Sequence, residues 1–153
     1  MRALIQRVTH ASVTVDGTCT GRIQEGLLIL LGVGPEDTEK EADFLADKCV
    51  NLRIFNDEAG KMNRSLLDCG GEALVVSQFT LYADCHHGRR PAFIKAAPPE
   101  MANRLYEYFA HQVDEKVEKP VQKGIFGADM KVELLNDGPV TIMLDTDEIM
   151  PKK

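Results

Sequence analysis

The chain is 153 residues long, which is typical of one globular domain with a substantial core. Its hydrophobic content of 44% and charged content of 27% are those of a soluble protein and exclude a disordered or fibrous chain. The formal net charge of −6 argues against indiscriminate nucleic-acid binding, because contacts to phosphates require a concentrated basic face.

The sequence predicts a cytoplasmic protein without a membrane partner. No apolar run approaches the roughly 20 residues of a membrane span. Met1-Arg2 leads directly into strand-like sequence, without a signal peptide. The four cysteines stand at positions 19, 49, 69 and 85 and form no C-x-x-C pair, so we expect them to be reduced and mostly buried.

Hydrophobic patterning predicts four strands at the start of the chain. Arg2–Val8 and Ser12–Val15 alternate apolar and polar residues, as half-buried strands do. Asp16-Gly17 is a strong hairpin turn, and Cys19–Ile23 forms the return strand. The unbroken apolar run Leu27–Val33 is typical of a central strand, buried on both faces.

Two helices and several shorter elements follow. A helix is predicted from Thr38 to about Leu52, with Glu41 as the capping-box partner of Thr38, and another from Pro98-Pro99 to about Val117. The remaining predictions are a short strand at 53–55, an irregular stretch at 61–67, a strand at 72–81, a polar loop at 82–97 and a final hairpin formed by 130–135 and 140–145. This order predicts a single α/β or α+β domain of mixed, mostly antiparallel sheets, with the two helices on one side.

Asn-Asp-Gly-Pro-Val-Thr at residues 136–141 is dense turn chemistry between two apolar runs. Glycine has no Cβ, and proline lacks a donor and fixes φ, so the turn presents backbone carbonyls with little side-chain cover. An X-Pro bond also adopts the cis form at modest cost. Two interpretations remain open at this point, namely a tight hairpin and a turn that presents its carbonyls to a ligand.

Ser-Gln-Phe-Thr-Leu at residues 77–81 places polar groups at the end of an apolar strand, where backbone N–H groups become free. Such groups stabilise an oxyanion without any unusual side chain, although the hydroxyls of Ser77 and Thr80 are equally able to cap the strand end. Neither hydroxyl lies in a G-x-S-x-G elbow. None of the four histidines has a spacing that identifies a catalytic base.

The polar loop contains one local basic cluster, His-His-Gly-Arg-Arg at 86–90 followed by Lys95, which is either a solvated loop or an RNA contact. Asp84 and Cys85 precede it, but adjacent residues rarely converge on one ion and no second ligand pair follows. The sequence therefore predicts neither a metal nor a cofactor.

Together, the segments 77–81 and 136–141 closely resemble the two signature motifs of D-aminoacyl-tRNA deacylase, of the D-tyrosyl-tRNA deacylase type. Further resemblance lies in Gln-Arg-Val at 6–8, Gly-Arg-Arg-Pro-Ala-Phe at 88–93 and Phe-Gly-Ala-Asp-Met at 126–130. The resemblance covers essentially the whole chain, as one deacylase domain over residues 1–153. One departure is Cys-His-His at 85–87, where the family more often has a threonine and lysines, and this weakens the basic charge of the loop.

The resemblance implies a deacylase-type β/β/α layered fold and hydrolysis of the ester of D-aminoacyl-tRNA, which releases the D-amino acid and free tRNA. This is chiral proofreading, a form of translation quality control, and it extends to glycine mischarged on the tRNA for alanine. The resemblance also implies a homodimer, in which Gly138-Pro139 of one subunit, with a cis bond, acts in the site of the other. Because an L side chain would point into this turn, L-amino acids are excluded.

The resemblance further assigns roles to individual residues. Water, helped by the 2′-OH of the substrate, is the implied nucleophile, while a nucleophilic Thr80 is the alternative. Arg7 either braces the Gly138-Pro139 turn or forms an ordinary surface ion pair. Phe126 and Met130 either wall the pocket or belong to the core. The predicted catalytic segment is Ser77, Gln78, Phe79 and Thr80; the predicted substrate-binding residues are Gly138, Pro139, Arg7, Phe126 and Met130.

Other classes of function remain as alternatives. A non-catalytic RNA-binding module that uses the 86–95 loop predicts salt-dependent tRNA binding without ester cleavage. A small hydrolase with Thr80 or Ser77 as covalent nucleophile predicts a trappable acyl-enzyme. A purely structural dimer would leave both motifs unexplained.

Overall fold

The long first strand organises the fold. The computed structural model describes residues 1–151. The strands are β1 Arg2–Val15, β2 Thr18–Ile23, β3 Gly26–Gly32, β4 Phe55–Asn56, β5 Met62–Arg64, β6 Glu72–Ser77, β7 Gln122–Lys123 and β8 Lys131–Asp145. The helices are α1 Glu39–Asn51, α2 Leu66–Cys69, α3 Pro99–Lys116 and α4 Thr146–Ile149, and Phe79–Tyr82 forms a 3₁₀ turn.

Six of the strands form a mixed sheet in the order β2-β1-β3-β6-β7, with β8 also paired to β1. All pairings of β1 are antiparallel, whereas β6 runs parallel to β3 and β7. The short strands β4 and β5 form a separate antiparallel ribbon. The predicted mixed, mostly antiparallel arrangement is therefore confirmed.

One edge of β1 pairs first with β3, over residues 2–8, and then with β2, over residues 11–15. The other edge pairs with β8 along nearly the whole length of β1. The prediction of two separate strands in this region was wrong. The apparent break consists of two exposed residues, Thr9 and His10, at a register shift, and the strand continues through them.

The sheet separates two hydrophobic clusters. Alternate residues of β3, such as Ile29, face a large core that contains buried residues of both α1 and α3. Leu28 faces a smaller cluster formed with the second half of β1, β2 and β6. Both long helices thus lie on one side and strands pack on the other, as expected for a β/β/α arrangement.

Local signals account for most of the element boundaries. Thr38 caps α1, and its N–H donates to Glu41 Oε1 at 2.7 Å, so the predicted capping box is confirmed. The stretch predicted to be irregular, residues 61–67, contains β5 and the start of α2. Ser65 caps that short helix and Gly70 ends it in the left-handed conformation.

All four cysteines are free thiols, but only Cys49 is fully buried. Burial raises the pKa of the Cys49 thiol to about 12, which keeps it protonated and unreactive. The prediction that the cysteines are mostly buried was wrong for Cys19 and Cys85, because one lies on the edge strand β2 and the other in the polar loop. Among residues 1–151, no helix has the length and apolar composition needed to cross a membrane.

Candidate active site

The carboxyl end of β6 presents two free backbone donors. The N–H of Gln78 donates to the Leu31 carbonyl at 2.8 Å, and the chain then leaves the sheet into the 3₁₀ turn. The predicted strand therefore ends at Ser77 rather than at residue 81. Neither Phe79 nor Thr80 has an acceptor for its N–H among residues 1–151, as is usual for the first residues of a helical turn.

This strand end opens into a cavity of about 550 Å³, a size typical of small-molecule sites. Its walls come from the end of β6, the segment before α3, the first turn of α3, and the loop before β8. The lining residues with predicted roles are Ser77, Gln78, Phe79, Phe126 and Met130. The structure thus places the segments 77–79 and 126–130, which are distant in sequence, around the same cavity.

Thr80 adjoins this cavity without lining it. Its hydroxyl accepts a hydrogen bond from the side-chain amide of Gln78. Thr80 is thereby held against Gln78, which lines the cavity. Among residues 1–151, no histidine or carboxylate side chain hydrogen-bonds to the Thr80 hydroxyl.

Phe126 and Met130 are both half-buried, and each lines the cavity while also packing against a hydrophobic cluster. The ring of Phe126 lies 6.1 Å from that of Tyr106 in the large core, and Met130 packs against the smaller cluster. The two interpretations of these residues, pocket wall and core packing, therefore both apply. A side chain whose far face is packed gives the cavity a fixed wall.

The segment 136–141 does not reverse the chain, so the predicted hairpin was wrong. Residues on both sides of it pair with the same strand, since Asn136 lies opposite Val8 and Thr141 lies opposite Gln6. Four residues, 137–140, therefore oppose the single residue Arg7 and bulge out of a continuous β8. The Gly138-Pro139 peptide bond in this bulge is cis, and φ of Gly138 is 136°.

Arg7 fills the space under the bulge. Its side chain is buried, with 7% of the residue exposed, and Nε donates to the Asp137 carbonyl at 3.0 Å. Nη1 donates to the Ile54 carbonyl at 2.7 Å. The Asp137 carboxylate lies farther away, at 3.7 Å, and is half-exposed. Arg7 therefore braces the bulge chiefly through backbone carbonyls, and the alternative of an ordinary surface ion pair does not describe it.

Gly138 and Pro139 are exposed and do not line the cavity of their own chain. Two apolar side chains of β8 on either side of the bulge, Leu135 and Met143, are also exposed, by 52% and 46%. The bulge and both of these apolar side chains are therefore accessible to a second molecule.

The basic loop is closed at its base by mutual backbone hydrogen bonds between Asp84 and Ala92, of 2.7 and 2.8 Å. The Asp84 carboxylate also lies 2.6 Å from Nδ1 of His86 and 3.4 Å from Nζ of Lys95. Hydrogen bonds from the side chain and backbone of His86 lower the pKa of Asp84 to about 2. These groups line a second, open concavity of about 430 Å³ together with Arg2 and Tyr82.

Comparison with known proteins identifies the family. The sequence model of the family described as D-Tyr-tRNA(Tyr) deacylase matches residues 4–145. The chain belongs to this family. The resemblance inferred from the two motifs is thus confirmed.

Relatives named D-aminoacyl-tRNA deacylase match this member of the family over nearly its full length. The protein of Roseiflexus castenholzii is 64% identical over 95% of this chain and 92% of its own. That of Ruegeria pomeroyi is 63% identical over 95% and 99%, and that of Thermosipho melanesiensis is 54% identical over 97% and 99%.

Two solved structures have the same architecture as this deacylase-family chain. One, titled c-Myc DNA Unwinding Element Binding Protein, has a TM-score of 0.90 at 44% identity, over 95% of this chain and 98% of that one. The other is titled as a probable eukaryotic D-amino acid tRNA deacylase. It has a TM-score of 0.80 over 94% and 97% of the two chains and, at 17% identity, shows the fold alone.

Several residues that shape this deacylase-family site lie outside the sequence predictions, among them Phe93 and Gly124. The ring of Phe93 lines the cavity and packs edge-to-face against Phe79, with centroids 5.0 Å apart. Gly124 leaves the space that the sulfur of Met130 occupies, since a Cβ at this position would collide with it. Phe93 belongs to a segment that carried the family resemblance, whereas no local pattern distinguishes Gly124 from an ordinary loop glycine.

Proposed function

We propose that this protein hydrolyses the ester between a D-amino acid and the 3′-terminal adenosine of tRNA, releasing both. The observation that carries this proposal is the cavity at the end of β6 in a chain of the deacylase family. Its aromatic and apolar walls suit a nucleoside. The free N–H groups of Phe79 and Thr80 belong to the 3₁₀ turn beside it, and we assign the ester carbonyl to them.

The reaction begins when the oxygen of a water molecule attacks the ester carbonyl carbon. The negative charge that develops on the carbonyl oxygen is stabilised by the N–H groups of Phe79 and Thr80. The one titratable side chain lining the described cavity is that of Asp129, which is exposed and paired with Lys131 at 3.2 Å. We therefore assign proton transfer to the substrate's own 2′-OH, which relays the water proton to the departing ribose oxygen.

Selection against L-amino acids is assigned to the Gly138-Pro139 bulge of a partner subunit in a homodimer. Backbone carbonyls of the bulge accept hydrogen bonds from the substrate's α-ammonium and fix the orientation of its Cα. An L side chain then meets the bulge, whereas a D side chain points away. The exposure of the bulge, and of Leu135 and Met143 beside it, supports its use between subunits.

Exclusion of this kind tolerates many D side chains and also admits glycine. We therefore extend the proposal to glycine mischarged on the tRNA for alanine, and place the reaction in the cytoplasm. Because the bulge fills space rather than recognising a side chain, the identity of the D-amino acid has little influence on the rate.

Matched deacylation time courses of D-tyrosyl-tRNA and L-tyrosyl-tRNA, at equal enzyme concentration, test the proposal. We expect rapid loss of the D ester while the L ester is stable. Equal cleavage of both esters would indicate an esterase without chiral selection, in which the bulge has no role. Cleavage of neither, with tRNA still bound in a salt-dependent manner, would instead support a non-catalytic RNA-binding module.

A further inference from the structure

The segment Phe93–Ala96 is a turn that separates the two concavities. Phe93 and Ala96 line the cavity at the end of β6, while Lys95 lines the second concavity. The N–H of Ala96 donates to the Phe93 carbonyl at 3.1 Å and closes the turn. Ile94 stands at its tip and is 84% exposed, more than any other large apolar side chain in residues 1–151.

Unpaired positive charge lies in the same loop. Arg89 and Arg90 are exposed, and neither forms an ion pair with any of the residues 1–151. The hydrogen bonds between Asp84 and Ala92 close the loop, so the two arginines and the Phe93–Ala96 turn belong to one anchored unit. In a chain with a net charge of −6, this local concentration of cations favours an anionic partner.

We infer that the segment 89–95 binds the single-stranded nucleotides that directly precede the terminal adenosine of the tRNA; this rests on the proposed function. Phe93 and Ile94 contact the bases, and Arg89 and Arg90 contact the phosphates. Aromatic side chains on which bases stack, flanked by cations, are the usual way in which proteins bind single strands without reading their sequence, and Phe93 is such a side chain.

The position of Phe93 connects the cavity at the end of β6 with the segment proposed to bind the single-stranded RNA. The ring of Phe93 packs against that of Phe79, and both side chains form part of the apolar wall of the cavity at the end of β6. Ile94 follows Phe93 in the turn and is exposed, so we place the nucleotide that precedes the terminal adenosine against these two side chains. The phosphate between the two nucleosides is charged and stays in solvent, and we assign it to the exposed Arg89 and Arg90 of the same loop.

The first test measures binding of a short single-stranded RNA with the tRNA 3′ sequence, by fluorescence anisotropy. We expect Ile94→Ser to weaken binding about tenfold, the effect of removing one base contact. Replacing both Arg89 and Arg90 by Ala should lower the slope of log affinity against log salt by about 1.4, because each contact to a single strand contributes about 0.7. Matched controls are Met62→Ser, an exposed apolar residue of β5, and Lys119→Ala, beyond the far end of α3.

The second test compares kcat/KM on D-tyrosyl-tRNA with kcat/KM on the D-tyrosyl ester of adenosine. Ile94→Ser should lower the ratio of the two constants about tenfold, whereas Met62→Ser should not change it. If the wild-type enzyme cleaves neither ester, the proposed function fails, while the anisotropy measurement still decides the binding inference. Unchanged RNA affinity in the Ile94 and arginine variants would overturn the inference. So would a shift of the monomer–dimer equilibrium by Ile94→Ser in sedimentation velocity, since the tip would then contact a second copy.

Discussion

At the scale of single residues, a substitution of Thr80 distinguishes attack by water from attack by the Thr80 hydroxyl. Its hydroxyl accepts a hydrogen bond from Gln78, and no described base is placed to remove its proton. Its backbone N–H, in contrast, survives any side-chain substitution. We therefore expect Thr80→Ala to retain deacylase activity within about tenfold of wild type in single-turnover assays. Complete loss of activity with an unchanged circular dichroism spectrum, or a trapped acyl-enzyme, would establish Thr80 as the nucleophile.

Gly138 lies at a position that does not accommodate a side chain. Its φ of 136° is unfavourable for any L residue, and a Cβ would lie 2.8 Å from Cγ2 of Val140 and 3.1 Å from Nη2 of Arg7. Gly138→Ala should therefore displace the bulge and raise the rate on L-tyrosyl-tRNA relative to the D ester at least tenfold. Gly60→Ala is the matched control, because φ there is 80° and the space around it is open. Unchanged selectivity in Gly138→Ala would remove the bulge from the mechanism.

At the scale of elements, Arg2 connects three parts of the fold at the site. Its Nε donates to Asp145 at 3.0 Å, Nη1 donates to the Leu81 carbonyl at 2.7 Å, and the guanidinium lies 4.4 Å from the centre of the Tyr82 ring. Arg2 thus ties the ends of β1 and β8 to the 3₁₀ turn that holds the free N–H groups. We expect it to act as a positioning residue, since it does not line the cavity at the end of β6.

Arg2→Met keeps the apolar stem but removes all of these polar contacts. We expect kcat to fall about tenfold with little change in KM, because the turn positions the transition state more than the ground state. Arg2→Lys should not restore the rate, since an ammonium cannot reproduce the forked geometry. Arg53→Met is the control, because Arg53 donates to the Asn63 carbonyl in the ribbon instead. Equal losses of kcat in both variants would indicate a general effect on stability.

The same scale shows how far local sequence determines the elements. The Thr38 capping box and the apolar stripe of α1 predicted that helix to within one or two residues, because these signals lie within the element itself. The Asn-Asp-Gly-Pro segment was wrongly predicted as a hairpin, because turn residues produce a bend without specifying whether the chain reverses. Whether the chain reverses here depends on the pairing of β8 with β1, which lies about 130 residues away in sequence.

At the scale of the whole molecule, the proposed homodimer makes each site depend on two chains. Mixing two variants tests this dependence. Ala96→Trp places a bulky ring in the nucleoside cavity, which Ala96 lines, and should be inactive alone. Gly138→Ala should cleave L esters. If the bulge acts across the interface, excess Ala96→Trp subunits supply an intact bulge to each open cavity and suppress cleavage of the L ester. Persistent L cleavage in the mixture, at a verified subunit exchange, would place the bulge in its own chain's site.

The cavity itself is a property of the whole molecule, and the sequence predicted it only in part. Residues 77–80, Phe126 and Met130 were assigned to it because the family resemblance paired segments that no local pattern connects, and all of them except Thr80 line it. Gly124 and Ala96 were not predicted. Each matters because its small size leaves space for a neighbour or for the cavity, and only the folded chain shows that space. The brace formed by Arg7 was left open for the same reason, because its partner Ile54 comes from a distant segment.

The placement of the bulge inside one unbroken strand has a consequence for the dynamics of selection. Its flanks are hydrogen-bonded to β1 on both sides, so the bulge cannot swing out unless β8 detaches from β1. The flanking amides that donate to β1 should therefore exchange with deuterium slowly, unlike the amides of a mobile lid. Discrimination between D and L esters would then need no ordering step when the substrate arrives, and its fidelity would not depend on the rate of any closure.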